Sequence, residues 1–241
     1  MYLSVVLPAY NEEKRITPTL RAVSSYLKKQ SYEYEIFVVS DGSKDGTAPI
    51  VKNLSEEIPH LTLIDNKTNH GKGFVVRQGM LTAKGSIRLF MDADNSTSLD
   101  HFNLARPLFD QGYDIVVGTR DSRDHPEARQ TVPQSFVKRI AGDIGNLIIQ
   151  LLVVRGIWDT QCGFKAFSAA STERIFSAAT VDRWAFDVEA LGIARKLGLK
   201  IGIIPIRWIN NPDSRVKALA YIQFFFEVVK IWWRLLNRSI K

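Results

Sequence analysis

One cysteine, Cys162, stands in 241 residues, so no internal disulfide can form. A chain with a lone thiol fits a reducing compartment or a cytoplasm-facing surface. No stretch of about 18 charge-free apolar residues occurs, so no membrane-spanning helix is expected. The nearest approach, Leu219 to Leu236, is broken by Gln223, Glu227, Lys230 and Arg234. Met1 to Ala9 has neither a basic stretch nor a long apolar one, and no secretory signal is expected there. No Gly-x-Gly-x-x-Gly follows the first apolar run, which weighs against a dinucleotide cofactor. Gly71-Lys72-Gly73 is not a P-loop, because no Ser or Thr follows the lysine and the upstream glycine is missing. His60, His70, His101 and His125 are scattered without metal-ligand spacing. No nucleic-acid-binding motif accompanies the basic charge, so no nucleic-acid partner is expected.

What remains is an ordinary folded composition, 45% hydrophobic and 24% charged, with 32 Lys and Arg against 25 Asp and Glu. The excess is concentrated late: from Arg207 to Lys241 seven basic residues face two acids. Such a tail suits a membrane surface, a nucleic acid or a phosphorylated substrate. The first half alternates. Apolar runs Leu3 to Leu7, Glu35 to Val39, Leu61 to Ile64, Ile87 to Met91 and Asp114 to Val117 read as buried strands. Helical stretches separate them: one opening at Thr17 as N-cap with Pro18 first in the helix, one near Pro49 to Glu57, one from Gly73 to Ala83. The alternation predicts a Rossmann-like, mostly parallel α/β sheet with flanking helices, ligands lying beyond the carboxyl ends of the strands. Three polar clusters fall there: Pro8 to Glu13, Ser40 to Thr47 and Asp92 to Thr97. One catalytic domain over 1–212 and a basic helical tail over 213–241 are expected.

Two later segments carry narrow polar stripes at helical spacing. Arg139, Asp143, Asn146 and Gln150 form one, and Gln223, Glu227, Lys230 and Arg234 the other. The tail's apolar face holds Phe224, Phe225, Phe226, Trp232 and Trp233. Aromatics beside basic residues suit a water–lipid interface; packing on the domain is the plainer alternative.

Asp92-Ala93-Asp94 closes a strand, so both carboxylates can approach one hard cation, Mg2+ or Mn2+, that bridges to a diphosphate. Asp41 sits at the neighbouring strand end, and Asp45 can cap the following helix. Lys72, just before a helix, is a reasonable phosphate contact. Cys162 has no base beside it and reads as a buried structural thiol.

Taken in order, Val5 to Glu13, Val39 to Thr47, Asn69 to Gly73 and Asp92 to Asp94 resemble the family 2 glycosyltransferases with a GT-A fold. Asp159 to Lys165 and Arg183 to Glu189 are similar to the dolichyl-phosphate glucosyltransferase branch, with dolichyl-phosphate mannose synthases next. The resemblance implies a nucleotide-sugar donor, a divalent metal and a polyprenyl phosphate acceptor. It implies donor contacts from Pro8, Ala9, Tyr10, Glu12, Asp41, Lys72, Asp92 and Ala93. Asp92 and Asp94 would be metal ligands, and Asp94, Arg120 and Arg139 catalytic. Arg120, Arg139, Ser214 and Arg215 would hold the acceptor phosphate; Arg215 stands where the family usually has lysine.

A phosphate acceptor is already anionic at neutral pH and needs no strong general base. It needs charge cancelled, by a metal on the leaving diphosphate and by arginines on the acceptor. Direct attack on the anomeric carbon inverts it. The expected enzyme is therefore an inverting, metal-dependent transferase, peripheral on the cytoplasmic face of a membrane, with UDP-glucose as donor. GDP-mannose is the alternative donor. A soluble or polysaccharide acceptor would instead call for a base, with Asp159, Asp187 and Glu189 as candidates.

Overall fold

The computed structural model describes residues 1–130, 145–208 and 218–237. Its centre is a seven-stranded sheet in the order β3-β2-β1-β4-β7-β5-β8. The strands are β1 (Leu3–Ala9), β2 (Tyr34–Asp41), β3 (Leu61–Asn66), β4 (Ile87–Met91), β5 (Ile115–Thr119), β7 (Phe164–Ser168) and β8 (Ile201–Pro205). A separate parallel pair joins β6 (Arg129–Gln130) to β9 (Arg207–Trp208). All neighbours in the large sheet run parallel except β7, which is antiparallel to both β4 and β5.

β1, β4 and β5 are buried at every residue. That follows from a sheet covered on both faces, whose strands read as continuous apolar runs. Under one face Leu3, Val5 and Leu7 meet α1 (Ile16–Leu27), α2 (Thr47–Glu57) and α4 (Phe102–Asp110). Under the other, Val6, Val39 and Phe90 meet α3 (Lys72–Thr82), α5 (Ala169–Ala178), α6 (Phe186–Lys196) and α7 (Ala218–Asn237). Residues 145–152 are also helical, with Ile149 buried on that second side.

The five predicted strands of the first half are present. The first helix begins earlier than its sequence suggests: Ile16 is its first residue, Arg15 is the N-cap and makes no side-chain cap bond. Thr17 is therefore inside the first turn, where Pro18 is still tolerated because the first amides of a helix have no partner within it. Asp45 is not the cap of the next helix: Gly46 is the N-cap and no side-chain cap bond forms, though the Asp45 carboxylate accepts the amide of Thr47, the first helical residue, at 3.0 Å.

The chain leaves β1 toward β2 and β3 on one side, then crosses back to β4 on the other. The order reverses between β1 and β4, and in open sheets of this kind ligands bind beyond the carboxyl ends at such a point. Arg139, Ser214 and Arg215 lie outside the described residues, as does the junction of the expected domain and tail.

Candidate active site

The loops after β1, β2 and β4 are laced together by short polar bonds. Asn11 and Glu12 donate their amides to Ser43 and Thr47 hydroxyls at 3.1 and 2.7 Å, and Asp45 accepts the Glu13 amide at 3.2 Å. Asn11 accomplishes its turn with a left-handed φ of 55°. Tyr10 stands half exposed at the end of β1, while Pro8, Ala9 and Ala93 are buried or backbone-facing. The Ala93 carbonyl accepts the Thr19 hydroxyl at 2.8 Å, which pins the Asp92–Asp94 loop to α1.

Asp41 faces inward. Its two carboxylate oxygens accept the amides of His70 and Gly71 at 2.7 and 2.9 Å, so it fixes the loop that delivers Lys72. Gly71 carries φ 111°, and a Cβ there would lie 2.4 Å from the Asp182 carbonyl oxygen. Only glycine fits. Glu12 grips Arg15 through two bonds of 2.6 Å.

Asp92 and Asp94 follow β4, where the sequence places them. The Lys72 ammonium reaches Asp92 Oδ1 at 2.5 Å and lies 5.8 Å from the Trp184 ring centre. The Asp92 amide donates to the Gly163 carbonyl at 3.1 Å. A Cβ on Gly163 would sit 1.9 Å from Asp92 Oδ2. Glycine at 163 is therefore a condition for the Asp92 carboxylate to occupy its place.

Burial alone would lower the Lys72 ammonium, but Asp92, Asp187 and Asp94 hold it above its ordinary value. Burial alone would raise Asp92; Lys72 first, then Arg120 and Lys165, hold it below the usual carboxylate range. These causes place Lys72, Arg120, Lys165, Asp92, Asp94 and Asp187 in one electrostatic neighbourhood.

Arg120 follows β5. Its Nε and Nη2 meet the two oxygens of Asp159 at 2.8 Å each, and its own amide donates to the same carboxylate. The guanidinium lies 5.2 Å from the Trp208 ring centre. Asp159 works against burial and is held below its ordinary value by Arg120. Beneath the site, fully buried Lys165 reaches Asp187 Oδ1 at 2.5 Å and the Cys162 carbonyl at 2.6 Å. Burial pushes Asp187 upward, against Lys165 and Lys72. Cys162 is buried and free, its thiol pushed up to about 12 by burial.

Lys165 was not singled out from sequence. The signal was there, a lysine inside an otherwise apolar Phe164-Lys165-Ala166-Phe167 run. Its meaning depends on a strand pairing that local pattern does not reveal.

The residues present fit a hard divalent cation. Asp92 and Asp94 supply oxygen donors from one strand end, and Asp94 Oδ1 is oriented by the Ser96 amide at 3.0 Å. Among the described residues no group of three or more His, Cys, Asp or Glu assembles. Two carboxylates with the balance of ligands from diphosphate and water is the usual manner of Mg2+ at phosphate sites.

A mixed, mostly parallel sheet with an acidic pair beyond its central strand defines the class of nucleotide-sugar transferases with the GT-A fold. Solved structures agree on the fold. Mannosyl-3-phosphoglycerate synthase from Rubrobacter xylanophilus superposes with a TM-score of 0.73 at 18% identity, over 98% of this chain and 74% of that one. Glucosyl-3-phosphoglycerate synthase from Mycobacterium tuberculosis, solved with Mn2+, UDP and glucosyl-3-phosphoglycerate, gives 0.65 at 20% identity, over 96% and 80%. Residues 4–176 match the model of glycosyl transferase family 2, and the chain belongs to that family. It is similar along its length to proteins named dolichyl-phosphate beta-glucosyltransferase. That of Dictyostelium discoideum is 35% identical over 98% of this chain and 75% of its own. The human protein is 36% identical over 89% and 69%. A Trichomonas vaginalis relative is 37% identical over 96% and 73%. The chain is a glycosyltransferase.

Proposed function

We propose that the chain transfers glucose from UDP-glucose to a polyprenyl phosphate of the dolichyl type, with inversion, at a membrane surface. The names of the full-length relatives support the substrates. The chemistry is supported by one observation above others: the three carboxylates that were candidate bases, Asp159, Asp187 and Glu189, are all engaged. Asp159 is held by Arg120, Asp187 by Lys165. Glu189 accepts the amides of Thr180 and Val181 and pairs with Arg234. A hydroxyl acceptor would need one of them free to take a proton. A phosphate monoester, with its second pKa of about 6, brings its own negative oxygen.

In this reading Pro8, Ala9, Tyr10 and Glu12 border the nucleoside, and Asp41 acts by fixing the loop that carries Lys72. Asp92 and Asp94 hold Mg2+ or Mn2+, which when bound would neutralise the departing diphosphate. Lys72 adds a charge-assisted contact to that diphosphate. Arg120, with Arg139, Ser214 and Arg215, receives the acceptor phosphate and aligns it opposite the leaving group, where alignment lowers the barrier. Attack on the face away from UDP gives a β-linked product from the α-linked donor. The acceptor's polyprenyl tail sets the reaction at a membrane surface, and the free thiol of Cys162 fits its cytoplasmic face. Residues 1–212 then form the catalytic unit and 213–241 a basic tail.

The test is transfer of label from UDP-glucose to dolichyl phosphate with Mn2+, run beside GDP-mannose. Labelled lipid from UDP-glucose alone is expected. Label only from GDP-mannose would change the donor, and no labelled lipid from either donor would reject the reading.

A further inference from the structure

The helix α7 has two apolar faces, and among the described residues only one of them is packed. Val228 and Ile231 are buried, with Phe224 and Leu235 packed beside them on the α6 side of the core. On the opposite side Phe225, Phe226, Trp233 and Leu236 are exposed by 43, 59, 64 and 64%. At about 100° per residue these four fall within one arc of roughly 100°. A second bare apolar segment lies close by. Leu147 and Leu151 are exposed, and the next turn touches α7's neighbourhood, since a Cβ on Gly192 would meet both Val153 and Leu235 at 2.6 Å.

The helix runs alongside α6 in the same direction. Glu227 accepts the Ala185 amide at 3.2 Å near the start of α6, Arg234 pairs with Glu189, and Lys196 donates to the Leu235 carbonyl near its end. The start of α6 is the rim of the active site, where half-exposed Trp184 approaches Lys72. The bare aromatic face thus begins at that rim.

Between the rim and the aromatic arc lies an open cleft of about 500 Å³ lined by Arg183, Gln223, Phe226, Glu227 and Lys230. Arg183 and Lys230 are exposed and form no ion pair among the described residues. The one acid in the cleft, Glu227, is turned to the Ala185 amide. Two cations against one acid leave the cleft net positive, and with exposed aromatic rings beside it this matches the chemistry of a bilayer surface, phosphate above and acyl chain below.

We propose that this cleft seats the headgroup phosphate of an anionic bilayer lipid, bound by Arg183 and Lys230, while the outward face of α7 lies in the interface and turns the rim at Trp184 toward the membrane. Neither Arg183 nor Lys230 is among the residues given to the acceptor phosphate. It deepens the proposed function by stating how the enzyme meets its lipid, and it rests on that reading only for its purpose.

The experiment is flotation of the full chain with vesicles that contain no polyprenyl phosphate, either phosphatidylcholine alone or phosphatidylcholine mixed with phosphatidylserine. Its outcome is therefore independent of whether glucose is transferred. Wild type is expected to bind the mixed vesicles more tightly. Arg183→Gln with Lys230→Gln should weaken that binding about thirty-fold, two surface cations' worth, and leave the weak binding to phosphatidylcholine unchanged. Phe226→Ser with Trp233→Ser should abolish binding to both. These four side chains are exposed, and unaltered thermal unfolding checks that the variants fold. Equal binding by wild type and the charge variant would overturn the headgroup site. Vesicle binding that survives loss of the aromatics would overturn the docking face. So would a concentration-dependent dimer in sedimentation that those substitutions convert to monomer, because the face would then be covered by a second copy.

Discussion

Lys72 and Asp92, twenty residues apart and on different elements, meet at 2.5 Å where the sheet order reverses. Asp41 fixes the loop beneath the lysine, and Gly163 leaves room for the carboxylate. On the proposed function, replacing Lys72 by Met would remove one charged contact to the donor diphosphate. Such contacts contribute about 1.5–3 kcal/mol, so affinity for UDP-glucose should fall by ten- to a hundredfold. Lys72→Arg should recover little of it, because a planar fork does not replace a point charge at this spacing. Calorimetric titration with UDP-glucose and Mn2+ measures both.

Asp94→Ala is expected to lower the transfer rate by about a thousandfold or more while leaving the fold intact, since the side chain bonds only the nearby Ser96 amide among the described residues. Loss of Mn2+ binding in the presence of UDP, followed by electron paramagnetic resonance, is the companion measurement. Undiminished binding would remove Asp94 from the metal.

Gly163→Ala tests the seat of Asp92 without touching a charged group. The added methyl would lie 1.9 Å from Asp92 Oδ2, so the carboxylate must turn away. The variant should lose donor and metal binding far more than it loses stability. Normal activity would show that the carboxylate's position is not essential.

The buried pair Lys165–Asp187 supports the floor of the site. Lys165→Met leaves Asp187 without its closest partner, and breaking such a pair costs about 3–5 kcal/mol. Lys165→Met with Asp187→Leu should recover most of that stability, because an apolar pair of similar volume carries no desolvation penalty. Urea unfolding of the two variants distinguishes a lost charge partner from a simple packing defect.

Cys162 gives a separate check on the interior. With its thiol at about 12, the thiolate fraction near pH 8 is on the order of 10⁻⁴, and the side chain is fully covered. Iodoacetamide should leave the native protein unmodified and label it once on unfolding. Rapid native labelling would contradict the burial of the segment between Asp159 and β7.

Much of the first half was legible because its strands are buried on both faces and its helices alternate with them. Leu3 to Leu7 and Ile87 to Met91 need no context to read as strands, and Asp92 and Asp94 follow directly. The start of α1 was misread because its N-cap is Arg15, which makes no cap bond. β7 was not legible. It contains a buried lysine, runs against its neighbours and pairs with strands about fifty and nearly eighty residues earlier in sequence. Lys165 and the committed state of Asp159 depend on that strand and its loop, so they emerged only with the tertiary structure. The aromatic tail was legible as a helix, but one sequence pattern could not tell a packed face from a bare one; α7 has both.

The central claim is that the acceptor's phosphate oxygen itself displaces the nucleotide in a single step, with no glucosyl intermediate on the protein. It is tested most directly by the anomeric configuration of the lipid product made from UDP-glucose and dolichyl phosphate, read by the proton coupling at the glucose anomeric carbon. A β-glucosyl phosphate is predicted. An α-linked product, or glucose released without lipid-linked sugar, would contradict it.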